Sequence, residues 1–196
     1  MMLGVLLAAG TGSRFGDGNE LLAEIDGEPV VSHAARTLTA SGVDAVVAVV
    51  GHERELVEGA LPDDVDVLYN TDFEDGQSTS VKLAAEFARK READAALFAL
   101  GDMPRVSVET VEALLAAYRD GDGDIVVPRY EGERGNPVLF DAAYFDALAE
   151  VEGDTGGREL IESEAESGAV AWVDVEDAGV RQDIDTREDL ETLRGE

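Results

Sequence analysis

Two kinds of segment alternate along this chain. Short apolar or β-branched runs at residues 3–8, 45–50, 65–69, 95–100, 125–127 and 170–175 read as strands. Between them, residues 30–40, 54–60, 80–91, 109–119, 142–149 and 158–163 carry helical periodicity. Strand, helix, strand repeated in this way predicts an α/β fold with a doubly wound, mostly parallel sheet, because a parallel neighbour is reached only through a crossover. Ligands in such sheets bind beyond the carboxyl ends of the strands. The segments just past each strand are therefore the place to look for function.

Composition narrows the classes. The chain has 196 residues and five scattered prolines, and no Gly/Ser-rich or Pro-rich linker divides it, so one domain over residues 1–196 is expected. Acidic residues number 44 against 15 basic ones, for a formal charge of −29. That balance argues against a nucleic-acid partner, since phosphate backbones call for clustered Lys and Arg. Disorder is excluded for most of the length by a 44% hydrophobic content arranged in blocks. What remains is a folded protein with a solvated face of carboxylates, as in a halophile whose cytoplasm holds very high salt. The absence of cysteine removes disulfides, thiolate catalysis and Cys-ligated zinc. His33 and His52 have no neighbours at ligand spacing. The first apolar run is short and passes straight into glycines, unlike a signal peptide or a membrane span, so a cytoplasmic location and no membrane partner are expected.

After the first run comes Ala8-Ala9-Gly10-Thr11-Gly12-Ser13-Arg14-Phe15-Gly16. Glycines let backbone N–H groups approach phosphate oxygens, although a surface loop would read the same way. Two common phosphate motifs do not fit. The P-loop needs a Gly-Lys-Ser/Thr that this stretch lacks, and the Gly10, Gly12, Gly16 spacing with Val50-Gly51-His52 closing the second run does not match a dinucleotide fingerprint. That mismatch disfavours a nicotinamide dehydrogenase. Gly101-Asp102-Met103-Pro104 follows the fourth run, and Asp102 there is either a metal-holding acid or a turn aspartate bonding its own backbone. Ser107 is the expected N-cap of the next helix. Near the C-terminus, Thr186 and Asp189 form a capping box, preceded by the acids Asp183 and Asp185.

Taken in order, these segments resemble the nucleotidyltransferases that attach nucleotides to the molybdenum cofactor, the cytidylyltransferase branch more than the guanylyltransferase branch. The likeness spans nearly the whole chain. It includes residues 7–16, Gly27-Glu28-Pro29-Val30, Asp75 to Val81, Gly101 to Pro104, Arg134 to Phe140, Gly153 to Arg158 and Asp183 to Thr186. It implies a Rossmann-like nucleotide-diphospho-sugar transferase fold and a Mg²⁺-dependent transfer from an NTP, CTP before GTP, to a phosphorylated acceptor, with pyrophosphate released. Carried over, Ala8, Ala9, Gly10, Thr11, Gly12, Ser13 and Arg14 would hold the nucleotide. Arg14 and Asp102 would be catalytic. Asp102 and Asp185 would hold the metal, with Asp183 competing for the second place. Gln77, Ser78 and Ser80 would line the base and ribose pocket, and Asn136 and Pro137 would face the acceptor.

One position departs from the family pattern. Where the family has lysine in Gly-x-x-Asn-Lys-Leu-Leu, this chain has Glu20, a like charge beside a triphosphate. Lys82 or another base would have to substitute, or potassium fill the gap, or the chain would bind ligand without efficient turnover. The last case defines an alternative from another class, a non-catalytic molybdenum cofactor carrier serving a hydroxylase-type enzyme. A sugar phosphate as acceptor is a further variant.

Overall fold

A computed structural model describes residues 1–16, 18–153 and 157–195. The strands are β1 (Met2–Ala8), β2 (Glu24–Ile25), β3 (Glu28–Pro29), β4 (Ala45–Val50), β5 (Val65–Tyr69), β6 (Ala95–Leu100), β7 (Ile125–Tyr130), β8 (Glu133–Arg134), β9 (Val138–Asp141) and β10 (Val170–Asp174). The helices are α1 (Val30–Ala40), α2 (Arg54–Gly59), α3 (Gln77–Lys90), α4 (Val108–Asp120), α5 (Phe145–Ala149), α6 (Arg158–Glu164) and α7 (Arg187–Gly195). The central sheet runs β10-β7-β9-β6-β1-β4-β5, with β8 paired to β7. All neighbours along that path are parallel except β9, which lies antiparallel to both β6 and β7.

Several features differ from the sequence expectation: the two-residue strands β2, β3 and β8 were not expected, β7 runs on to Tyr130, and α3 begins at Gln77. The run from Val138 to Asp141 is a strand that the alternation did not reveal, because it is four residues long and enters the sheet antiparallel, without a crossover helix. The 142–149 stretch is a 3₁₀ turn, Ala142–Tyr144, leading into the short α5.

The alternation in β1 distributes the core. Leu6 and Ala8 face α1, α2 and α4 in one apolar layer, and Leu3 and Val5 face α3, α5 and α6 in the other. A third cluster joins Phe15, Ile25 and Val30 to Ile184, Leu190 and Leu193, so α7 closes over the β2–β3 hairpin and the loop that follows β1. His33 bonds the Ile25 carbonyl through Nε2 at 2.9 Å and is structural. Ser107 caps α4 through the Thr110 amide at 3.2 Å. The Thr186–Asp189 box is also present, Asp189 Oδ2 accepting from the Thr186 amide and hydroxyl at 2.7 Å each. Among the described residues no helix is long and apolar enough to cross a membrane.

Candidate functional site

The chain returns to either side of β1 as it is built outward: β4 and β5 lie on one flank, β6 on the other. Strand order therefore reverses between β1 and β6, which leaves a crevice at their carboxyl ends. A cleft of about 450 Å³ opens there. Its wall is the glycine loop from Ala8 to Arg14, its floor is Leu7 and Leu100, and Glu20, Gln77, Ser80, Asp102 and Asp185 reach it from four other segments. Ser78, expected in the base and ribose pocket, does not line the cleft; it is buried, its amide donating to the Gly153 carbonyl at 3.1 Å.

Close approach makes the crevice. A Cβ at Gly101 would stand 3.1 Å from the Leu7 carbonyl oxygen and 3.2 Å from the Ala8 Cβ, so glycine brings the end of β6 against β1 and sets Asp102 at the mouth. The loop itself turns through Gly12, at φ +62°, and closes with the Phe15 amide on the Gly12 carbonyl at 2.9 Å. The amides of Thr11, Gly12 and Ser13 donate to no other backbone group among the described residues. On the opposite wall, buried Asn70 fixes the first turn of α3, its amide donating to Thr79 Oγ1 at 2.8 Å and Ser80 Oγ at 2.9 Å.

The C-terminal segment completes the rim. The Ile184 amide donates to the Asp102 carbonyl at 3.0 Å, and Arg14 Nη1 meets Asp185 Oδ2 at 2.5 Å. Asp185 lines the cleft; exposed Asp183 does not. Gly179 fits beneath because a Cβ there would lie 2.2 Å from the Arg105 carbonyl oxygen. Asp177 anchors this segment to α4 by accepting from the Ser107 amide at 2.9 Å and the Thr110 hydroxyl at 2.7 Å.

The cleft is electrostatically unfinished. Asp102 Oδ1 and Glu20 Oε2 are both buried without a hydrogen-bond partner among the described residues. Burial, and then the charge of Asp183, push the Asp102 carboxyl up from 3.8 to about 7. Burial likewise raises Glu20, offset in part by a backbone hydrogen bond. Arg14 is the one cationic side chain lining the cleft among the described residues, and it is occupied by Asp185. Lys82 is exposed and does not line the cleft, so it does not replace the missing family lysine. Glu20 sits under the loop, its Oε2 2.1 Å from where a Gly12 Cβ would be.

The orphaned Asp102 Oδ1, with the Asp185 carboxylate lining the same cleft, suits a hard cation. No group of three or more His, Cys, Asp or Glu among the described residues is arranged to enclose a metal. The donor set fits an ion that takes its remaining ligands from water and substrate phosphates. Phe73 and Glu74 also line the cleft and were not singled out from sequence. Close packing brings them there: a Cβ at Gly51, just past β4, would lie 2.6 Å from the Phe73 Cβ, a contact that no spacing in the sequence announces. Asn136 lies in a smaller pocket that shares Leu7, Gln77 and Leu100 with the cleft, and Pro137 lines a separate crevice behind Leu100. Asp154, Thr155 and Gly156 of the Gly153–Arg158 motif fall outside the described residues.

The chain is similar to known proteins in sequence and in fold. The chain is 30% identical to the purine catabolism protein PucB of Bacillus subtilis, over 98% of its length and 96% of that protein. It is 33% identical to the nicotine blue oxidoreductase of Paenarthrobacter nicotinovorans, over 97% and 95%. The crystal structure of Rv0371c from Mycobacterium tuberculosis, in complex with manganese, superposes with a TM-score of 0.83 at 26% identity, covering 99% of this chain and 98% of that one. Residues 4–169 match the model of the MobA-like NTP transferase domain. With its glycine loop, strand-end carboxylates and mostly parallel sheet, the chain belongs to the MobA-like NTP transferase family, whose members are nucleotidyltransferases.

Proposed function

We propose that residues 1–196 act as one domain that transfers a nucleotidyl group from an NTP, CTP first, to a phosphorylated acceptor such as the pterin of the molybdenum cofactor, in the cytoplasm. In this reaction an oxygen of the acceptor phosphate attacks the α-phosphorus. The bond from that phosphorus to the α–β bridging oxygen breaks, and pyrophosphate leaves with the electron pair. Two anions must meet, so the barrier falls mainly through positioning and through positive charge on the oxygens in flight.

The carrying observation is that the glycine-loop amides, which donate to no other backbone group among the described residues, and the orphaned Asp102 Oδ1 belong to one cleft at the strand-order reversal. The loop amides would cradle the triphosphate, and Gln77 and Ser80 would line the nucleoside side. Asp102 and Asp185 would hold Mg²⁺, which when bound supplies charge to the phosphate oxygens. The manganese complex of Rv0371c supports a divalent ion in this setting. Arg14 would exchange Asp185 for a phosphate oxygen.

Glu20 favours a second reading, a cofactor carrier without transferase turnover, because it sets a buried carboxylate against the phosphate loop. Pyrophosphate release with the four NTPs, Mg²⁺ and molybdenum cofactor, in high KCl, separates the two. Release that depends on Mg²⁺ and on one base supports transfer. Nucleotide or cofactor binding with no release refutes it in favour of the carrier.

A further inference from the structure

Beside the nucleotide cleft lies a pocket of about 120 Å³ that shares Leu7, Gln77 and Leu100 with it. Its wall is mixed, with apolar surface from Val138, Phe140 and Leu148 and polar surface from Gln77 and Asn136, and two arginines enter it, Arg134 from β8 and Arg158 from the start of α6. Gly157 permits that entry. A Cβ there would stand 2.7 Å from Phe140 Cζ, so any other residue would push the start of α6 away from the sheet.

The arginines differ in how they are satisfied. Arg158 is mostly exposed and its Nε bonds Glu162 Oε1 at 2.9 Å, one turn along the same helix. Arg134 is half-buried, and its Nη1 is buried with no hydrogen-bond partner among the described residues. Burial pulls Arg134 below its ordinary value, the positive charge of Arg158 pulls it further, and Glu162 opposes them only in part. An unpaired buried guanidinium N–H is costly anywhere. It is unexpected in a chain with 44 acidic residues and 15 basic ones, where a carboxylate partner is the easiest thing for selection to supply. The pocket has the chemistry of an anion site: two guanidinium groups, neutral polar side chains and apolar surface around them with no carboxylate among its described lining residues, and direct continuity with the nucleotide cleft.

We infer that Arg134 and Arg158 form an oxyanion subsite that binds the phosphate group of the acceptor and holds it facing the nucleotide. A phosphate monoester matches the pair better than a carboxylate does, because its two negative charges and three terminal oxygens can engage both guanidinium forks. The subsite rests on the reading of the neighbouring cleft as the nucleotide site, but it is a claim about binding alone. Arg134 and Arg158 would be positioning residues for the acceptor, and neither lines the nucleotide cleft.

The test uses the full chain at constant high KCl, with inorganic phosphate as the probe and acetate as the monoanionic control, both followed by titration calorimetry. The parent should bind phosphate saturably and more tightly than acetate. Arg134→Met and Arg158→Gln should each weaken phosphate binding about tenfold or more, while the affinity for Mg²⁺-nucleotide stays within about twofold. Arg158 is exposed enough that its variant should fold normally, which guards against a misfolded Arg134→Met. Unchanged phosphate affinity in Arg158→Gln, equal binding of acetate, or no saturable phosphate binding to the parent would overturn the subsite. Loss of nucleotide binding in the parent, with the arginine-dependent phosphate binding intact, would overturn the transferase reading and leave the subsite standing.

Discussion

Replacing Asp102 by asparagine in metal-free protein should make the fold more stable at neutral and alkaline pH. The side chain keeps its shape and loses its charge. In the parent, burial and the nearby charge of Asp183 raise this carboxyl from 3.8 to about 7. A raised carboxyl means that the folded state holds a proton the unfolded state has released. Its contribution is present below about pH 4 and is lost as pH rises through about 7. At 1.36 kcal/mol per pH unit, roughly, the full span is a ceiling of about 4 kcal/mol; water entry and local relaxation should leave about 2 kcal/mol or more. Urea unfolding at fixed high KCl with chelator, from about pH 5 to about pH 9, reads the difference between variant and parent directly. That difference should climb through the acidic range and level off above about pH 7. A difference flat to within about 0.5 kcal/mol would refute the claim that Asp102 is an uncompensated buried carboxylate. The same variant should lose Mg²⁺-dependent nucleotide binding, trading function for stability.

Three further outcomes concern the site and its frame. Glu20→Lys should place a cation under the glycine loop and raise the rate of pyrophosphate release by about tenfold or more; turnover no faster than the parent's would show that Glu20 is not the handicap. Gly179→Ala should cost about 2–4 kcal/mol in urea unfolding, because the new Cβ meets the Arg105 backbone at 2.2 Å, whereas Gly59→Ala in α2, with nothing within 4 Å, should cost nothing measurable. The melting temperature should rise with KCl, since a net charge of −29 repels itself unless screened; a salt-independent melt would contradict this.

The legibility of the chain depended on burial. β4, β5, β6 and α1 have the bounds their residues announce: β4 and β6 are covered strands and so continuous apolar runs, the edge strand β5 keeps a β-branched and apolar run broken only by Asp66, and α1 presents one apolar face. β9 was hidden by its brevity and its direction. The β2–β3 hairpin did carry a signal, Asp26-Gly27 with both residues at positive φ, but each strand is only two residues long. At the site, the glycine loop and Asp102 were legible because they directly follow strands. Phe73 and Glu74 were not, since only the sheet's geometry carries that turn to the cleft. The arginine pocket was invisible for a related reason. Arg134 and Arg158 are ordinary residues until β8 and α6 set them against one wall, and no spacing in the chain encodes their meeting.

The clasp between Arg14 and Asp185 joins positions 171 residues apart. A ribosome therefore exposes the glycine loop long before it supplies the latch that closes on Arg14. Until Ile184, Leu190 and Leu193 arrive to cover Phe15, the nascent loop has no cover and its carboxylate latch is still unmade. The mouth of the cleft is thus assembled only once residues 184–193 have been made, and a product ending before them would have a sheet but no closed rim.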